Sequence, residues 1–438
     1  MKTHPHIVEG PVFNDTIYSF LESRQYAELF MKILVLSKKF PFPLKDGESQ
    51  AIHGLCKSLH ELGCQVSLLA MNTSKHFYSE KTLPECMDHF DEVRTVVVDN
   101  QLKVGPALSN LVRNNSYHIS RFDNPDYRQA LRRWLKRESF DIIQLETVYL
   151  APYLDTIRRH TDAPVVMRAH NVEHEIWERR CKNLGFGPKR WYLKRLTRQL
   201  ARYEREQLNQ YDLLLPITKR DEERFRKLGY KGKSHVLPLG LDADNITPNY
   251  NSYSQQPSIH FIGSLDWTPN IEGLQWFLNK AWPSIHREFP QLEFHIAGRN
   301  MPHALMALEM DQVFVHGEVE DAQAFVTQHS ISIVPLLSGS GMRAKILEAM
   351  ALGRTVISTS IGLEGIRAEH RHHLLIADTP QQFVEAIRHC YRQGPDLEEL
   401  GRNAQQLFEK KYNRRRLAEK LIKSYSRLVD KRTPVAFN

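Results

Sequence analysis

The chain has 438 residues and a formal net charge of +8; 41% of its residues are hydrophobic and 25% are charged. This composition is typical of a soluble globular protein and excludes a low-complexity chain. One hydrophobic core rarely serves so many residues, so the length predicts two domains. No apolar run is long enough to span a bilayer. The positive charge suits an anionic ligand, but it does not choose between a nucleotide diphosphate, a phospholipid surface and nucleic acid.

Cysteine usage and the first residues predict a cytoplasmic protein. The five cysteines are scattered and form no C-x-x-C motif, so we interpret them as reduced thiols. Residues 1–30 show neither a clear periodicity nor the layout of a signal peptide. They are either an N-terminal extension or the product of an upstream start in front of a native Met31, and we favour an extension with little function.

Alternating strands and helices predict a Rossmann-like domain over residues 31–240. Its first strand is the apolar run 31–37, which leads through a turn-rich loop into a helix over 48–62. Residues 241–257, rich in Asn, Asp, Ser, Gln and Pro, form the predicted linker. Further strands of this domain are predicted at 66–70, 94–98, 141–146, 164–168, 212–217 and 234–240.

Polar residues stand at the carboxyl ends of these strands, where open α/β sheets bind ligands. Gly47 lies in the loop after the first strand, and Glu146 ends the strand at 141–146. His170 and Asn171 lie at the tip of the strand at 164–168. A lone histidine is often a structural hydrogen-bonding residue, so a structural and a catalytic role both stay open for His170.

The stretch 178–207 is strongly basic, with ten Lys or Arg residues. Apolar residues such as Trp191, Leu196 and Tyr203 alternate with them at near-helical spacing. One interpretation is a long helix packed through this apolar stripe, with its charges in solvent. The other is a basic amphipathic surface in peripheral contact with anionic lipid, at the inner face of the cell membrane. No recognised nucleic-acid motif accompanies the charge, so we predict no nucleic-acid partner.

The second half predicts another Rossmann-like domain over residues 258–405, followed by a C-terminal helix and tail over 406–438. Its first strand delivers Gly263 and Ser264 to the strand tip, and a later strand ends in Gly298. The predicted strands are 258–263, 292–297, 313–316, 331–334, 355–358 and 373–377. The predicted helices are 270–278, 342–352, 380–391 and most of 397–429.

The stretch 330–364 predicts an anion-binding site. A buried strand is followed by a turn through Gly339, Ser340 and Gly341, and the turn leads into a helix. Free backbone N–H groups and the helix dipole point outward at such a helix N-terminus, and both attract negative charge.

The helix of this stretch also carries ionisable side chains. Arg343 and Lys345 lie in its first turn, and Lys345 and Glu348 are three residues apart on one side. In a cleft, Lys345 offers a cation for phosphate and Glu348 a carboxylate for a sugar hydroxyl. The alternative is an ordinary Lys–Glu pair in solvent.

The residues from Gly339 to Gly353, with those at 356–359 and 362–365, resemble the donor-binding signature of a known family. This family is the retaining, nucleotide-sugar-dependent glycosyltransferases called group 1. Its usual signature has two glutamates eight positions apart; Glu348 matches the second, and Ser340 stands at the first. The variant with Gly-x-Gly and a basic pair is similar to a branch of sugar transferases of polysaccharide assembly. The resemblance covers about residues 32–428.

The resemblance implies the GT-B fold, in which two Rossmann-like domains face each other and a C-terminal helix crosses back to the first. It implies a nucleotide-diphosphate sugar as the donor and a glycan or lipid-linked acceptor. The diphosphate is then held by Arg343 and Lys345, and the ribose by Glu348. The other implied positions are Gly263, Ser264, Gly298, Gly339, Ser340 and Gly341 on the donor side, and Gly47, Glu146 and Asn171 on the acceptor side.

The resemblance also implies a mechanism. The sugar is transferred with retention of configuration and without a cofactor or an obligatory metal, because the helix N-terminus and basic side chains stabilise the leaving diphosphate. His170 then orients a sugar or acceptor hydroxyl. The sequence Asp242-Ala-Asp244 has the spacing of a metal-binding pair, but it lies in the linker, where a turn is the expected role.

Two other functions remain open from the residues alone. The first is a non-catalytic nucleotide- or polyanion-binding protein on the same fold, since a fold does not determine a function. The second is a nucleotide-sugar epimerase, which would need additional acid/base carboxylates around the sugar.

Overall fold

The computed structural model describes residues 31–44, 46–74, 77–78, 83–99, 116–182, 184–244, 246–339, 341–392 and 394–430. The predicted extension 1–30, Ser340 of the predicted anion site and the tail 431–438 lie outside the described residues. Among the described residues, no helix is both long enough and apolar enough to cross a membrane. All five cysteines are unpaired, and only Cys86 among them is exposed.

The first sheet has seven strands, all parallel, in the order β3-β2-β1-β4-β5-β6-β7. The order in which strands are added reverses between β1 and β4, which is the switch point where doubly wound sheets bind ligands. The strands are β1 Lys32–Ser37, β2 Gln65–Thr73, β3 Glu92–Val98, β4 Ile142–Leu145, β5 Val165–Ala169, β6 Leu213–Pro216 and β7 Lys233–Ser234.

Helices cover both faces of this sheet. Helix α1 begins where the Asp46 side chain accepts a hydrogen bond from the Ser49 backbone N–H at 3.0 Å. It packs through Ile52, Leu55 and Leu59, whose spacing places them on one side. The helices are α1 Gly47–Glu61, α2 Tyr117–Ser120, α3 Pro125–Arg137, α4 Leu154–Arg158, α5 Glu173–Lys182, α6 Pro188–Gln207 and α7 Lys219–Lys227, with 3₁₀ turns at Glu85–Met87, Val148–Tyr153 and Leu208–Gln210.

The second sheet has six parallel strands in the order β10-β9-β8-β11-β12-β13, the same doubly wound pattern. Its strands are β8 Ser258–Ile262, β9 Glu293–Ala297, β10 Val313–Gly317, β11 Ile331–Val334, β12 Thr355–Ser358 and β13 Leu375–Ile376. Its helices are α8 Thr268–Trp276, α9 Trp282–Glu288, α10 His303–Met306, α11 Ala322–Thr327, α12 Ala344–Ala351, α13 Pro380–Arg392 and α14 Gly394–Lys411, with a 3₁₀ turn at Asn251–Ser254 and a π-helical turn at Phe277–Ala281.

The last helix, α15 (Arg414–Val429), packs on the first sheet although it follows the second. Leu417, Leu421 and Tyr425 recur every four residues and lie in one core with the first strands. At the start of this helix the chain pairs with the linker, because Leu241 donates to the Tyr412 carbonyl and accepts from the Arg414 N–H, each at 3.0 Å. The predicted fold class, two doubly wound domains with a returning C-terminal helix, is confirmed; the exact limits of the predicted domains stay a prediction.

Several predicted elements differ from the structure. The strand predicted over 234–240 is confined to Lys233–Ser234, because the edge strand pairs with β6 at only two positions. The long helix expected over 178–207 is interrupted, because Pro188, which lacks a backbone N–H, starts α6 after a glycine-containing turn. Helix α12 begins at Ala344 rather than at residue 342, since Arg343 has an extended backbone.

Candidate active site

A cleft of about 890 Å³ lies between the two sheets. Helix α1 of the first domain contributes Gln50, His53 and Lys57 to its lining. The tips of β8 and β9 and one side of α12 line the opposite wall. The strand tips of the second sheet therefore face a cavity that α1 and the linker close from the other side, and it is large enough for a nucleotide with an attached sugar. The first-sheet residues Glu146, His170 and Asn171 are not among its lining residues.

Lys345 is the central cation of the second-domain wall. Its Nζ donates to Asn270 Oδ1 at 2.9 Å and lies 4.4 Å from the centre of the Phe261 ring. The pKa of Lys345 is lowered to about 7: burial is the main cause, attraction to Glu348 opposes it, and repulsion from Arg343 adds a smaller decrease. The ammonium is held by a neutral amide and an aromatic ring, so an anionic ligand would supply the charge that stabilises it.

Glycines make room for this lysine. A Cβ on Gly263 would overlap with Lys345 Nζ, and a Cβ on Gly298 would overlap with the Gly263 carbonyl. The tips of β8 and β9 thus approach each other and the ammonium more closely than any larger residue permits. Ser264 also lines the cleft, and its hydroxyl donates to Asp266 Oδ1 at 2.6 Å.

Glu348 lies one helical turn after Lys345 and lines the same cavity. The residue is open to solvent on the cleft side, but the cleft walls displace much of the water around its carboxyl group. This desolvation raises the pKa of Glu348, and Lys345 counteracts part of the rise. The arrangement places a hydrogen-bond acceptor beside the cation.

Arg343 is oriented differently from Lys345. Its guanidinium carbon lies 5.3 Å from the centre of the Trp267 ring, and Nη1 donates to the Gly341 carbonyl at 2.8 Å. Burial lowers the pKa of Arg343. Within the described part of 330–364, the residues that line the cleft are Lys345, Glu348 and Leu352, so Gly339, Gly341 and Arg343 lie beside the cavity.

The turn before α12 contacts the first domain. The Gly341 N–H donates to Glu364 Oε2 at 3.3 Å, and Arg220 of the first domain donates to Glu364 Oε1 at 3.0 Å. This contact joins the predicted anion-binding turn to α7 across the cleft.

The strand tips of the first domain bring His170 and Glu146 together. Glu146 Oε2 accepts from His170 Nε2 at 2.7 Å and lies 3.6 Å from Arg168 Nη1. Burial raises the pKa of Glu146, but Arg168 and the hydrogen bonds from His170 and Gln144 hold it below its ordinary value. Glu146 is 0% exposed, so its carboxylate meets these internal partners.

The other two positions predicted on the acceptor side lie at the surface. Asn171 is exposed at the tip of β5, next to His170. Gly47 is the exposed first residue of α1, and a Cβ there would meet nothing within 4 Å. Space alone therefore does not require a glycine at this position.

Sequence reasoning missed several lining residues. Arg299 follows Gly298 at the tip of β9 and is exposed in the cleft, so the strand-tip rule applied to Gly298 could have found it. Asn270 positions Lys345 from α8, but no sequence pattern links two residues 75 positions apart. Gln50, His53 and Lys57 follow helical spacing on the polar side of α1, which was a detectable signal.

The described residues contain no group of three or more His, Cys, Asp or Glu side chains arranged to hold a metal ion. Asp242 of the predicted turn accepts from the Asp244 N–H at 3.1 Å through Oδ1. Its Oδ2 lies 2.5 Å from Arg414 Nη2. The turn role predicted for Asp242 is confirmed, and it adds an ion pair to α15.

Solved structures share this architecture over most of their length. Sucrose-phosphate synthase from Thermosynechococcus elongatus matches with a TM-score of 0.62 at 14% identity, over 92% of this chain and 100% of that one. The Anabaena protein HepE in complex with UDP matches with a TM-score of 0.61 at 15% identity, over 91% of this chain and 100% of that one. A glycosyltransferase from Rickettsia africae has a TM-score of 0.61 at 12% identity, over 92% of this chain and 100% of that one. The two facing domains and their cleft therefore define the GT-B fold.

Two family models match the chain in succession. "Glycosyltransferase Family 4" matches residues 46–245, and "Glycosyl transferases group 1" matches residues 256–393. Both halves of the chain thus match glycosyltransferase models, and the second half matches the group 1 model. A Klebsiella pneumoniae protein described as an uncharacterized 44.6 kDa protein in the cps region is 23% identical over 417 residues, which cover 90% of this chain and 99% of that protein.

Proposed function

We propose that this glycosyltransferase moves a sugar from a nucleotide-diphosphate sugar to a glycan or lipid-linked acceptor, with retention of configuration, in cell-surface polysaccharide synthesis. The observation that carries the proposal is the placement of Lys345 and Glu348 side by side in the cleft between the two domains. HepE, which shares the fold, has been solved with UDP and with UDP-glucose. The Klebsiella relative from a cps region supports the polysaccharide assignment.

In this proposal the second domain binds the donor. Lys345 holds the diphosphate, and Glu348 accepts from the ribose hydroxyls. The predicted role of the N–H groups after Gly339 requires the Gly341 N–H to leave Glu364 and turn towards the cleft. Gly263, Ser264 and Gly298 let the backbone approach the phosphates. The predicted phosphate role of Arg343 requires its guanidinium to leave Trp267, whereas Arg299 already faces the cleft, so Arg299 shares the role.

The first domain then presents the acceptor. The departing diphosphate takes the acceptor proton, and the protein contributes alignment and charge stabilisation without an obligatory metal. His170 orients a hydroxyl of the sugar or the acceptor, and Asn171 and Gly47 lie on the acceptor side.

The test is a transfer assay with a panel of nucleotide sugars and a mixed lipid extract, run with and without chelator. We expect one donor to be consumed only when acceptor is present, at an unchanged rate in chelator, with a retained anomeric configuration by NMR. An inverted product or loss of activity in chelator would reject the mechanism. Epimerised donor without transfer would indicate the epimerase, and binding without turnover the non-catalytic protein.

The same proposal places the protein in the cytoplasm, peripherally bound to the inner face of the cell membrane through the basic stretch 178–207. Phe186 in the turn before α6 is 97% exposed, and Trp191 on the helix is 65% exposed. Between positions 179 and 198 there are eight basic residues and no acidic one. Exposed aromatic rings beside a run of basic residues fit an anionic bilayer surface.

Vesicle sedimentation tests this contact. The protein should sediment with phosphatidylglycerol-containing vesicles and not with pure phosphatidylcholine, and Phe186→Ser should weaken the binding. Phe314→Ser is the matched control, because Phe314 is also exposed but lies on β10 of the second domain. Equal losses in both variants would exclude a specific surface at 178–207.

A further inference from the structure

A continuous series of buried hydrogen bonds ends at His170. The Tyr425 hydroxyl donates to Gln144 Oε1, Gln144 Nε2 donates to Glu146 Oε1, and Glu146 Oε2 meets His170 Nε2 at 2.7 Å. Tyr425, Gln144 and Glu146 are all 0% exposed. A series this well buried has few alternative arrangements, because each broken bond would leave a polar group without a partner.

The charge of Glu146 determines which ring nitrogen of a neutral His170 carries the proton. Arg168 and the hydrogen-bond donors hold the pKa of Glu146 below its ordinary value, so the carboxylate is ionised at neutral pH and can only accept. The proton in the 2.7 Å contact therefore belongs to His170 Nε2. In the neutral ring Nδ1 then carries a lone pair. Nδ1 makes no hydrogen bond to any residue in the described ranges, and the His170 side chain keeps 6% of its surface exposed.

The other end of the series lies on the helix that returns from the second domain. Tyr425 belongs to α15, whose first residue, Arg414, bonds the linker through Leu241 and Asp242. Arg168 adds a second support, since its Nη1 donates to the Ala51 carbonyl of α1 at 3.0 Å. His170 is thus held from both α1 and α15, the two helices that meet at the linker.

We propose that Glu146 is a positioning residue, which holds His170 as the Nε2–H tautomer with Nδ1 free to accept a hydrogen bond from a substrate hydroxyl, and that Gln144 and Tyr425 anchor this pair to α15. The inference rests on the proposed transferase function, in which His170 contacts a hydroxyl. It changes the predicted acceptor-side role of Glu146, because a fully buried carboxylate supports the histidine and does not reach the acceptor.

NMR of the full chain with ¹⁵N-labelled histidine tests the tautomer directly. Followed over a range of pH, the signals of the neutral His170 ring should show a protonated Nε2 and an unprotonated Nδ1. His170→Gln assigns the signal. A proton on Nδ1 would overturn the inference, and this readout needs no turnover, so it remains decisive even if the transferase proposal fails.

A double-mutant cycle tests whether Glu146 acts through His170. Glu146→Gln keeps the shape and removes the charge, and it should lower kcat about ten- to a hundredfold with little change in the donor KM. In a His170→Ala background the same substitution should have almost no further effect. Equal losses in both backgrounds, or full activity of His170→Ala, would overturn the inference.

Tyr425→Phe provides a gentler change if Glu146→Gln fails to fold. It should lower kcat several-fold and shift the ¹⁵N signals of His170. Tyr127→Phe is the matched control, because Tyr127 is also fully buried in the first domain but donates to the Leu69 carbonyl at 2.8 Å, outside the series. Equal effects of the two tyrosine variants would assign Tyr425 a purely structural role.

Discussion

Replacing Lys345 by methionine removes the cation of the cleft while keeping a long side chain. A charge-assisted hydrogen bond to phosphate contributes about 1.5–3 kcal/mol. At 1.4 kcal/mol per tenfold change, donor Kd should rise by about 10- to 150-fold. Lys280→Met is the control, since Lys280 is an exposed lysine of the same domain away from the cleft.

The pH dependence of donor binding gives a sharper test than the size of the rise in Kd. Burial lowers the pKa of Lys345 to about 7 in the empty cleft, and a bound diphosphate favours the protonated form. Donor affinity should therefore be highest below pH 7 and should fall about tenfold per pH unit above it. This slope should be absent in Lys345→Met.

Titration calorimetry with a nucleotide sugar between about pH 6 and 8.5 measures both the loss of affinity and the pH slope. The diphosphate diester itself carries no proton that titrates in this range, so the slope reports on the protein. Unchanged Kd in Lys345→Met would refute the donor site. A weakened variant that retains the wild-type pH slope would leave Lys345 as a contact but refute the argument from its lowered pKa.

Three further outcomes follow from the structure. Glu348→Gln should weaken donor binding tens-fold. Wild type and variant should bind equally well a nucleotide whose ribose lacks the 2′ and 3′ hydroxyls, and an equal loss for both ligands would exclude the ribose contact. Gly263→Ala should weaken donor binding, because its Cβ would displace the Lys345 ammonium, and wild-type affinity in a calorimetric titration would contradict the close approach. His260 is 0% exposed with no partner for either ring nitrogen, and burial holds its pKa well below 6.5. Protonation of His260 therefore opposes folding, and the free energy of unfolding should fall by about 1.4 kcal/mol per pH unit below about pH 6.5. Urea unfolding of His260→Phe should depend less on pH than that of the wild type.

The strands were well predicted because parallel strands buried on both faces appear as short apolar runs bounded by turns. The predictions for 331–334 and 355–358 agree with β11 and β12 at both ends. The edge strands β7 and β13 have only two residues each, and their limits depend on pairing with a neighbour, which the local sequence does not encode.

The candidate site was predictable to the extent that it follows strand tips and one helix face. Lys345 and Glu348 lie three residues apart in a helix, and the structure places both in the cleft. The partners that set their chemistry come from distant segments, such as Asn270 beside Lys345. The same holds for His170, whose nearest carboxylate, Glu146, lies 24 residues earlier on another strand tip.

The return of α15 makes the two halves of this enzyme interdependent during folding. A fragment that ends at the linker would lack Leu417, Leu421 and Tyr425, and it would expose the face of the first core that they cover. Synthesis of the chain must therefore reach its last helix before the first domain is complete. A separately supplied peptide of residues 414–430 should restore the missing layer, which makes this helix a natural point for splitting and reassembling the protein.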